Sequence, residues 1–157
     1  MGDPAGIGPE VIAKALADRA LTRLCTPVVV GSRQVMERTI AWLKLPLQVV
    51  DFNPANGQRL KAGQVAVADP LESPLPKFRM GAATAVTGAA SIAFIKEAVK
   101  LAQAGSLGGI VTAPINKEAM NMAGFHYPGH TELLADLTKT TEFGMMIVGG
   151  PLKIMFT

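Results

Sequence analysis

Residues 27–52, PVVVGSRQVMERTIAWLKLPLQVVDF, decide the fold class of this 157-residue chain. A β-branched run at 27–30 ends at Gly31 and Ser32, and serine at this position predicts a helix N-cap. The segment after Ser32 has apolar residues at helical spacing, and a second apolar run follows at 48–52. This order predicts two parallel strands that are joined by a helix.

The same alternation continues on both sides of this unit. The other predicted elements before residue 109 are a helix over 10–20, a turn at 53–54 and 56–57, a strand over 65–68, a long loop over 69–86, and a helix from Thr87 to about Ala104. After it come a strand over 109–112, a helix over 116–123 that Gly124 ends, a helix from His130 or Thr131, and two strands at 145–148 and 152–157 joined by a hairpin-like Gly-Gly-Pro turn. The strands are continuous apolar runs, which are typical of a buried parallel sheet. We therefore predict an α/β fold with a largely parallel sheet.

Two of the predicted helices have a recognisable apolar face. The first helix, which Pro9 can begin, places on one face Val11, Ile12, Ala15 and Leu16. The long helix from Thr87 is predicted to bury Ile92, Ile95 and Val99. These faces are expected to cover the sheet.

Composition excludes several classes of protein. With 49% hydrophobic and 17% charged residues, the chain is not a disordered polyelectrolyte. Its single cysteine, Cys25, excludes an internal disulfide framework and a four-cysteine zinc site. The net charge of +3 comes from scattered residues, and aromatic residues are few, so we expect no nucleic-acid partner. No apolar run predicts a membrane span or a signal peptide, and we expect a cytoplasmic protein.

The first candidate site is the glycine-rich stretch GDPAGIGPE at 2–10, which leads into a helix. Free N–H groups and the helix dipole at such a place attract anions. The stretch is not the dinucleotide-binding fingerprint, because Val11 stands where a third glycine is needed. Pro9 also removes one donor. Two interpretations stay open: an anion site, or a tight turn that packs the helix against the sheet.

The second candidate site is TAPINKE at 112–118, where a predicted strand ends and a helix begins. Ligands in open α/β sheets bind at the carboxyl ends of strands, which is where Asn116 and Lys117 are expected. A cation at a helix N-terminus is opposed by the helix dipole. Lys117 therefore indicates either an anionic partner or a solvated surface lysine.

The third candidate site is YPGHTE at 127–132, beside the two histidines of the chain, His126 and His130. The Pro-Gly pair between them prevents the helical geometry of the HExxH zinc motif. His130 and Thr131 at a helix start can present an imidazole, a hydroxyl and N–H groups to a phosphate or carboxylate. A structural role for His130 is equally open, and His126 is expected at the surface.

Together, MGDPAGIGPE at 1–10, VTAPINKEAM at 111–120 and YPGHTELLADLT at 127–138 resemble the 4-hydroxythreonine-4-phosphate dehydrogenase (PdxA) family. The resemblance implies an isocitrate/isopropylmalate-dehydrogenase-like fold with two α/β lobes, in a homodimer whose active site lies at the interface. It also implies that residues 1–157 are the amino-terminal half, mostly the first lobe, with the last strands entering the second. Both ends of the chain are accordingly expected to be cut edges.

The implied reaction is the NAD-dependent oxidation of 4-phosphooxy-L-threonine. The β-keto acid then loses CO₂ to give 3-amino-2-oxopropyl phosphate, on the route to pyridoxal 5'-phosphate. The resemblance further implies a divalent metal ion (Zn, Mg or Co) that polarises the hydroxyl and stabilises the enolate. Its ligands are expected beyond residue 157, with none in this chain, so we expect the 157-residue piece alone to be inactive.

The resemblance assigns few site residues within this chain. His130 and Thr131 match the substrate-binding His-Thr pair of the family, and the possible near-site residues are Lys117, Asn116 and Asp3. Catalytic and NAD-binding residues stay unassigned. The expected partner is a small phosphorylated hydroxy acid.

Three alternatives remain open. Dehydrogenases that act on 4-phospho-D-threonate or 4-phospho-D-erythronate share the same motifs, and a dihydrodiol dehydrogenase is a more distant possibility. A non-catalytic phosphate-binding module would need only the glycine-rich turn with His130 and Thr131.

The chain alone is also expected to aggregate, because a fold that is cut within a strand exposes an unpaired edge.

Overall fold

A computed structural model describes residues 1–54 and 60–156 of the chain. The predicted turn residues 56–57 and the last predicted strand residue, Thr157, lie outside the described residues. In chain order, the described elements are α1 (Gly8–Ala17), α2 (Arg19–Leu24), β1 (Val28–Val30), α3 (Arg33–Trp42), β2 (Gln48–Asp51), β3 (Gln64–Ala68), α4 (Ala85–Gln103), α5 (Lys117–Met122), α6 (His130–Thr138), β4 (Met145–Gly149) and β5 (Leu152–Phe156). None of the described helices has the length and apolar character that crossing a membrane requires.

The sheet is parallel, as the alternating pattern predicts, with strand order β1-β3-β2. The central strand β3 pairs Val67 with Val29 of β1 and Val65 with Val49 of β2. These strands pack with α1 and α3 into an apolar cluster of Ala13, Leu16, Val29, Met36, Ile40, Val49, Val65 and Val67. The central strand β3 is itself buried at Val65, Ala66 and Val67, which explains why its sequence is a continuous apolar run.

The start of α3 is joined to the carboxyl ends of two strands. The predicted N-cap is confirmed, since the Ser32 hydroxyl accepts a hydrogen bond from the Val35 N–H at 3.4 Å. The Arg33 N–H donates to Asp69, which follows β3, at 2.7 Å. The Arg33 guanidinium donates to Asp51 at the end of β2. These contacts fix α3 over the edge of the sheet at which β2 and β3 end.

The predicted apolar face of the first helix is wrong in part. Val11 and Ala15 are exposed, and the residues of α1 that are buried include Pro9, Ala13 and Leu16. These three positions follow the four- and three-residue spacing of a single helix face. Sequence hydrophobicity alone did not distinguish this face, because Val11 is apolar and yet 50% exposed.

The long helix α4 begins at Ala85, two residues before the predicted start at Thr87. The reason is the N-cap, since the Thr84 hydroxyl accepts a hydrogen bond from the Thr87 N–H at 3.2 Å. The predicted buried face is confirmed for Ile92, Ile95 and Val99. Near its end, α4 contacts the sheet through a cluster that contains Val30, Ala98 and Leu101.

The helices α5 and α6 pack on α4 rather than on the sheet. They share with it a cluster that contains Ile92, Ile95, Met120 and Leu133. The predicted helix over 116–123 is confirmed as α5, which begins one residue later because Asn116 is its N-cap and accepts a hydrogen bond from the Ala119 N–H. Gly124, with a φ of +84°, follows its end.

The predicted strand over 109–112 is wrong, because these residues are not in a strand. Val111 is 99% exposed, and Ile110 is 37% exposed. An extended segment becomes a strand only when a neighbouring strand pairs with it along its length. Within the described residues, the backbone hydrogen bond that joins this region to a neighbouring segment lies past the predicted strand. In this bond, the Asp3 N–H donates to the Pro114 carbonyl.

The last two strands form the predicted hairpin. β4 and β5 pair antiparallel, with Met145 opposite Phe156 and Gly149 opposite Leu152. Every residue of both strands is exposed. Neither strand of the hairpin therefore contributes a residue to the buried core of the described part of the chain.

Candidate functional site

The glycine-rich turn lies at the carboxyl end of β1. The amino group of Met1 donates a hydrogen bond to the Val30 carbonyl at 2.7 Å. The Met1 side chain lies so close to Gly31 that an added Cβ there would be 2.5 Å from the Met1 Cβ. The turn thus begins at the edge where β1 and β3 end, which is the edge at which open α/β sheets bind ligands.

The N–H groups of this turn are largely occupied by the protein itself. Asp3 is 4% exposed, and its Oδ1 accepts a hydrogen bond from the Ala5 N–H at 2.8 Å. The Asp3 carbonyl accepts from the Gly6 N–H, and the Asp3 N–H donates to the Pro114 carbonyl, both at 3.0 Å. Three donors that an anion would need are therefore paired. Of the two interpretations left open, this geometry favours the tight packing turn.

The backbone of the turn is also in close contact with the backbone of residues 113–114, which precede α5. An added Cβ on Gly2 would lie 2.3 Å from the Pro114 carbonyl oxygen and 2.7 Å from the Ala113 carbonyl oxygen. Gly2 also has a φ of +75°, which side-chain-bearing residues rarely adopt. An added Cβ on Gly8 would lie 3.2 Å from the Ala113 Cβ. Glycine at these positions is a steric requirement of the contact.

His130 is the first residue of α6, and it is partly buried. Burial lowers the pKa of His130. The Nε2 atom is buried and has no hydrogen-bond partner in the part of the chain that the structure describes. An unpaired buried nitrogen costs about 1–3 kcal/mol, so Nε2 is a candidate for a ligand contact.

The amino end of α6 offers further donors. Gly129 precedes the helix and provides no side-chain cap. The N–H groups of His130, Thr131 and Glu132 have no partner within the helix, since they belong to its first turn. They lie at the positive end of the helix dipole, with the Thr131 hydroxyl beside them. This arrangement can hold an anionic group, although the Glu132 carboxylate shares the same turn.

Asn116 and Lys117 occupy the start of α5. The Asn116 Oδ1 accepts a hydrogen bond from the Ala119 N–H at 3.0 Å, so this oxygen has a structural role. Lys117 is the first helical residue and is exposed. The structure thus joins Asp3 to Pro114 by a hydrogen bond, with Asn116 and Lys117 following directly in the chain. The contact of Asp3 with Pro114 was not predicted from the sequence.

The remaining candidate ligands form no metal site. His126 is exposed, and its Nδ1 lies 3.2 Å from the Asn121 Oδ1, as expected of a surface residue. Cys25 is also exposed. Among residues 1–54 and 60–156, no three His, Cys, Asp or Glu side chains are grouped so that they could hold a metal ion. The described residues therefore do not fit a divalent cation.

A cavity of about 540 Å³ lies at the other edge of the sheet. Its lining includes Pro27, Leu47 and Gln64, which precede or begin the three parallel strands. None of the predicted site residues lines it. The predicted site and this cavity are therefore separate features of the fold.

Comparisons with known proteins converge on one family. Residues 23–157 match the family model described as "Pyridoxal phosphate biosynthetic protein PdxA". A 4-hydroxythreonine-4-phosphate dehydrogenase of Trichlorobacter lovleyi is 38% identical over 155 residues, which are 98% of this chain and 46% of that protein. A D-threonate 4-phosphate dehydrogenase of Pectobacterium atrosepticum is 42% identical over 158 aligned residues, covering 99% of this chain and 48% of that protein.

The fold is similar to that of a solved relative. The crystal structure of a 4-hydroxythreonine-4-phosphate dehydrogenase from Burkholderia phymatum superposes with a TM-score of 0.88 at 37% sequence identity. The superposition covers 99% of this chain and 47% of that one. The chain therefore spans about half the length of the relatives that it matches.

Proposed function

The chain belongs to the PdxA family, and on that premise we propose that it forms the amino-terminal half of a dehydrogenase that oxidises a small phosphorylated hydroxy acid. The observation that carries this proposal is the match of almost the whole chain to one half of two named dehydrogenases. Residues 1–157 form most of the first lobe, and β4 and β5 enter the second. The complete enzyme is a cytoplasmic homodimer in this proposal.

The proposed substrate is 4-phosphooxy-L-threonine. C3 loses a hydride to NAD, the oxidant in this proposal, and the 3-hydroxyl oxygen loses a proton, which leaves a β-keto acid. This acid releases CO₂ and yields 3-amino-2-oxopropyl phosphate, for pyridoxal 5'-phosphate biosynthesis. The name of the Trichlorobacter lovleyi relative and the description of the matching family support this choice.

Within this chain, we assign substrate binding to His130 and Thr131. The unpaired Nε2 of His130 and the uncapped start of α6 supply donors for an anionic group of the substrate. Lys117 adds a positive charge at the neighbouring helix start. Asp3 and Asn116 are proposed to support the site rather than bind the substrate, because each has a side-chain oxygen engaged by a backbone N–H.

We place the metal ligands and the NAD contacts outside the described residues. The proposed enzyme uses a divalent ion (Zn, Mg or Co), whereas the described side chains form no group that could hold one. For this reason, no step of the reaction is assigned to a metal-binding residue of this chain. The expected ligands lie beyond residue 157.

The test measures NAD reduction by the full-length protein with 4-phosphooxy-L-threonine and a divalent metal. His130→Asn is expected to raise KM by about tenfold or more, since it removes a hydrogen bond to a charged group. His126→Asn, which changes an exposed histidine, is the matched control. Substrate binding without any NAD reduction would contradict the proposal and support a phosphate-binding module instead.

A second candidate substrate is D-threonate 4-phosphate. It is favoured by the 42% identity to the Pectobacterium atrosepticum enzyme, which exceeds the 38% identity to the Trichlorobacter lovleyi enzyme. The two acids differ at the amino or hydroxyl group beside the carboxylate. Comparison of kcat/KM for both acids on the same protein preparation decides between them, because this ratio measures substrate discrimination.

A further inference from the structure

We propose that Tyr127 and Asp136 are positioning residues, whose side chains together hold the start of α6, where His130 and Thr131 lie. The role of His130 and Thr131 in substrate binding rests on the proposed function. The contacts that hold the helix start do not, and they can be tested in the ligand-free protein.

The helix α6 begins without the side-chain cap that fixes the start of many helices. Its N-cap residue is Gly129, which has no side chain that could accept from the first turn. The first backbone bond of the helix, from the Leu133 N–H to the Gly129 carbonyl, is 3.4 Å long, beyond the usual range of about 2.7–3.2 Å. The position of His130, the first helical residue, therefore depends on contacts outside this turn.

One such contact joins the segment before the helix to the helix itself. The Tyr127 hydroxyl donates a hydrogen bond to the Asp136 carboxylate at 2.5 Å. Tyr127 lies two residues before the N-cap, and Asp136 lies near the end of α6. The bond therefore closes a ring of chain over residues 127–136, which contains the whole first turn of the helix. Because opening of that turn would separate the two ends of the ring, the bond opposes fraying at His130.

The aromatic ring of Tyr127 gives the hydroxyl a fixed base. The ring packs against the apolar cluster that contains Met120 of α5 and Leu133 of α6. Tyrosine combines an apolar body with a polar tip, so one side chain can pack on a core and form a bond at the surface. Since packing already restricts the ring, formation of the bond to Asp136 costs little further side-chain entropy.

The segment before Tyr127 is also held, on the side of α4 and α5. The Phe125 N–H donates to the Met120 carbonyl at 2.9 Å. The centre of the Phe125 ring lies 5.1 Å from the Lys96 Nζ of α4, which is within the range of a cation–π contact. The connection from α5 to α6 is thus attached to both neighbours. Through Tyr127, it relates the start of α6 to the position of α4 and α5.

Tyr127→Phe in the full-length protein removes the hydroxyl and keeps the ring, so it tests the hydrogen bond alone. It is expected to raise KM for the phosphorylated acid by about three- to tenfold, as loss of one hydrogen bond does, with a smaller change in kcat. A merely structural role would lower Tm and the amount of active enzyme and leave KM unchanged. An unchanged KM in an active Tyr127→Phe variant would therefore overturn the proposal.

Asp136→Asn and Asp136→Ala test the acceptor. Asparagine keeps an oxygen that can accept from the Tyr127 hydroxyl, whereas alanine does not. Asp136→Ala is expected to raise KM as Tyr127→Phe does, Asp136→Asn to restore most of the loss, and the double variant of Tyr127→Phe with Asp136→Ala to be no worse than either single one. Glu142→Ala, which removes an exposed carboxylate outside α6, is the matched control and is expected to keep the wild-type KM. Equal increases in KM for Asp136→Asn and Asp136→Ala would overturn the proposal, because the charge rather than the bond would then matter.

Amide hydrogen exchange in the ligand-free, full-length protein measures the helix start independently of activity. The Leu133 amide reports on the first turn of α6, and the Met120 amide, which donates to the Asn116 carbonyl in α5, is the internal reference. Tyr127→Phe and Asp136→Ala are each expected to lower the protection of Leu133 by about three- to tenfold. The protection of Met120 is expected to stay unchanged.

The exchange result separates this proposal from the proposed function. Unchanged protection of Leu133 in both variants would refute the positioning role. Lower protection of Leu133, in a protein whose wild type oxidises neither phosphorylated acid, would refute the proposed function and keep the role of Tyr127 and Asp136 in holding the start of α6.

Discussion

Gly88 of α4 and Ala119 of α5 touch at backbone distance, so that a Cβ added to Gly88 would lie 1.9 Å from the Ala119 carbonyl oxygen. Met120, the next residue of α5, packs in the cluster that also contains Leu133 of α6. The contact at Gly88 therefore sets how closely α5 approaches α4. It positions the start of α5, where Asn116 and Lys117 lie.

Gly88→Ala is expected to destabilise the protein. In an exposed helix interior this change stabilises by about 1 kcal/mol, because alanine has the higher helix propensity. Here the added methyl group forces α5 away from α4, and overpacking of this kind costs about 1–3 kcal/mol. Thermal unfolding is expected to show a lower Tm. Gly108→Ala, where a Cβ meets nothing within 4 Å, is the control, and a Tm at or above wild type for Gly88→Ala would contradict the prediction.

Thr84→Ala is expected to destabilise α4 by about 1 kcal/mol through loss of its N-cap. The Thr84 hydroxyl accepts from the Thr87 N–H at 3.2 Å, and alanine cannot replace this bond. Thr84→Ser keeps the hydroxyl and is expected to stay close to wild type. Urea unfolding of the three proteins measures the difference. Equal stability of the alanine and serine variants would show that the cap contributes nothing.

The protein is expected to become less stable as the pH decreases, because His130 must then take up a proton. Burial lowers the pKa of His130 in the folded chain below its ordinary value of 6.5. The folded state therefore binds a proton less readily than the unfolded state. The stability contribution of the neutral ring is present above 6.5 and is lost as pH falls through the lowered folded pKa.

The measurement is Tm as a function of pH for the wild type, His130→Gln and His126→Gln. His130→Gln is expected to remove part of the acid-side decrease in Tm, and His126→Gln to leave it unchanged. Parallel curves for the wild type and His130→Gln would exclude His130 as a source of the pH dependence.

Glu132→Gln is expected to have opposite effects on stability and on binding. The Glu132 carboxylate lies in the first turn of α6, where it stabilises the helix by about 0.3–1 kcal/mol through the dipole. The same charge repels an anionic substrate at that turn. We therefore expect a slightly lower Tm and a severalfold lower Kd for the phosphorylated acid by calorimetry. A weaker affinity in this variant would indicate that the anionic group binds elsewhere.

The isolated 157-residue chain is expected to show no NAD reduction and to self-associate. Every residue of the β4–β5 hairpin strands is exposed, and they carry apolar residues such as Met146, Ile147 and Ile154. An isolated two-stranded hairpin is at best marginally stable in water, and an apolar surface of this kind promotes association. Sedimentation velocity and an NAD assay on the same sample test both statements. A monodisperse, active chain would contradict them.

Much of the local structure follows from short-range rules. Ser32 predicts the start of α3 because a serine hydroxyl can accept from the N–H three residues later, and this bond forms. The long helix was recognised from Ile92, Ile95 and Val99, since their spacing places them on one side of a helix. The hairpin was recognised from two apolar runs around a Gly-Gly-Pro turn. Each of these features depends on residues that are close in the sequence.

The predictions that failed depend on contacts between distant residues. The segment at 109–112 has the composition of a buried strand, but no described strand pairs with it. Val11 has the apolar side chain of a core residue, but the packing of α1 turns it outward. In both cases, local sequence describes what a residue could do, and the neighbour that decides the outcome comes from elsewhere in the chain.

Local sequence patterns predict the α/β alternation, the Ser32 cap of α3, and the three motifs that led to the PdxA family and to His130 and Thr131 as candidates. The contact of the Gly2–Asp3 turn with Ala113 and Pro114 is visible only in the folded chain. The physical reason is that hydrogen bonds and close contacts between distant segments depend on the mutual packing of sheet and helices, which no local spacing of residue types encodes.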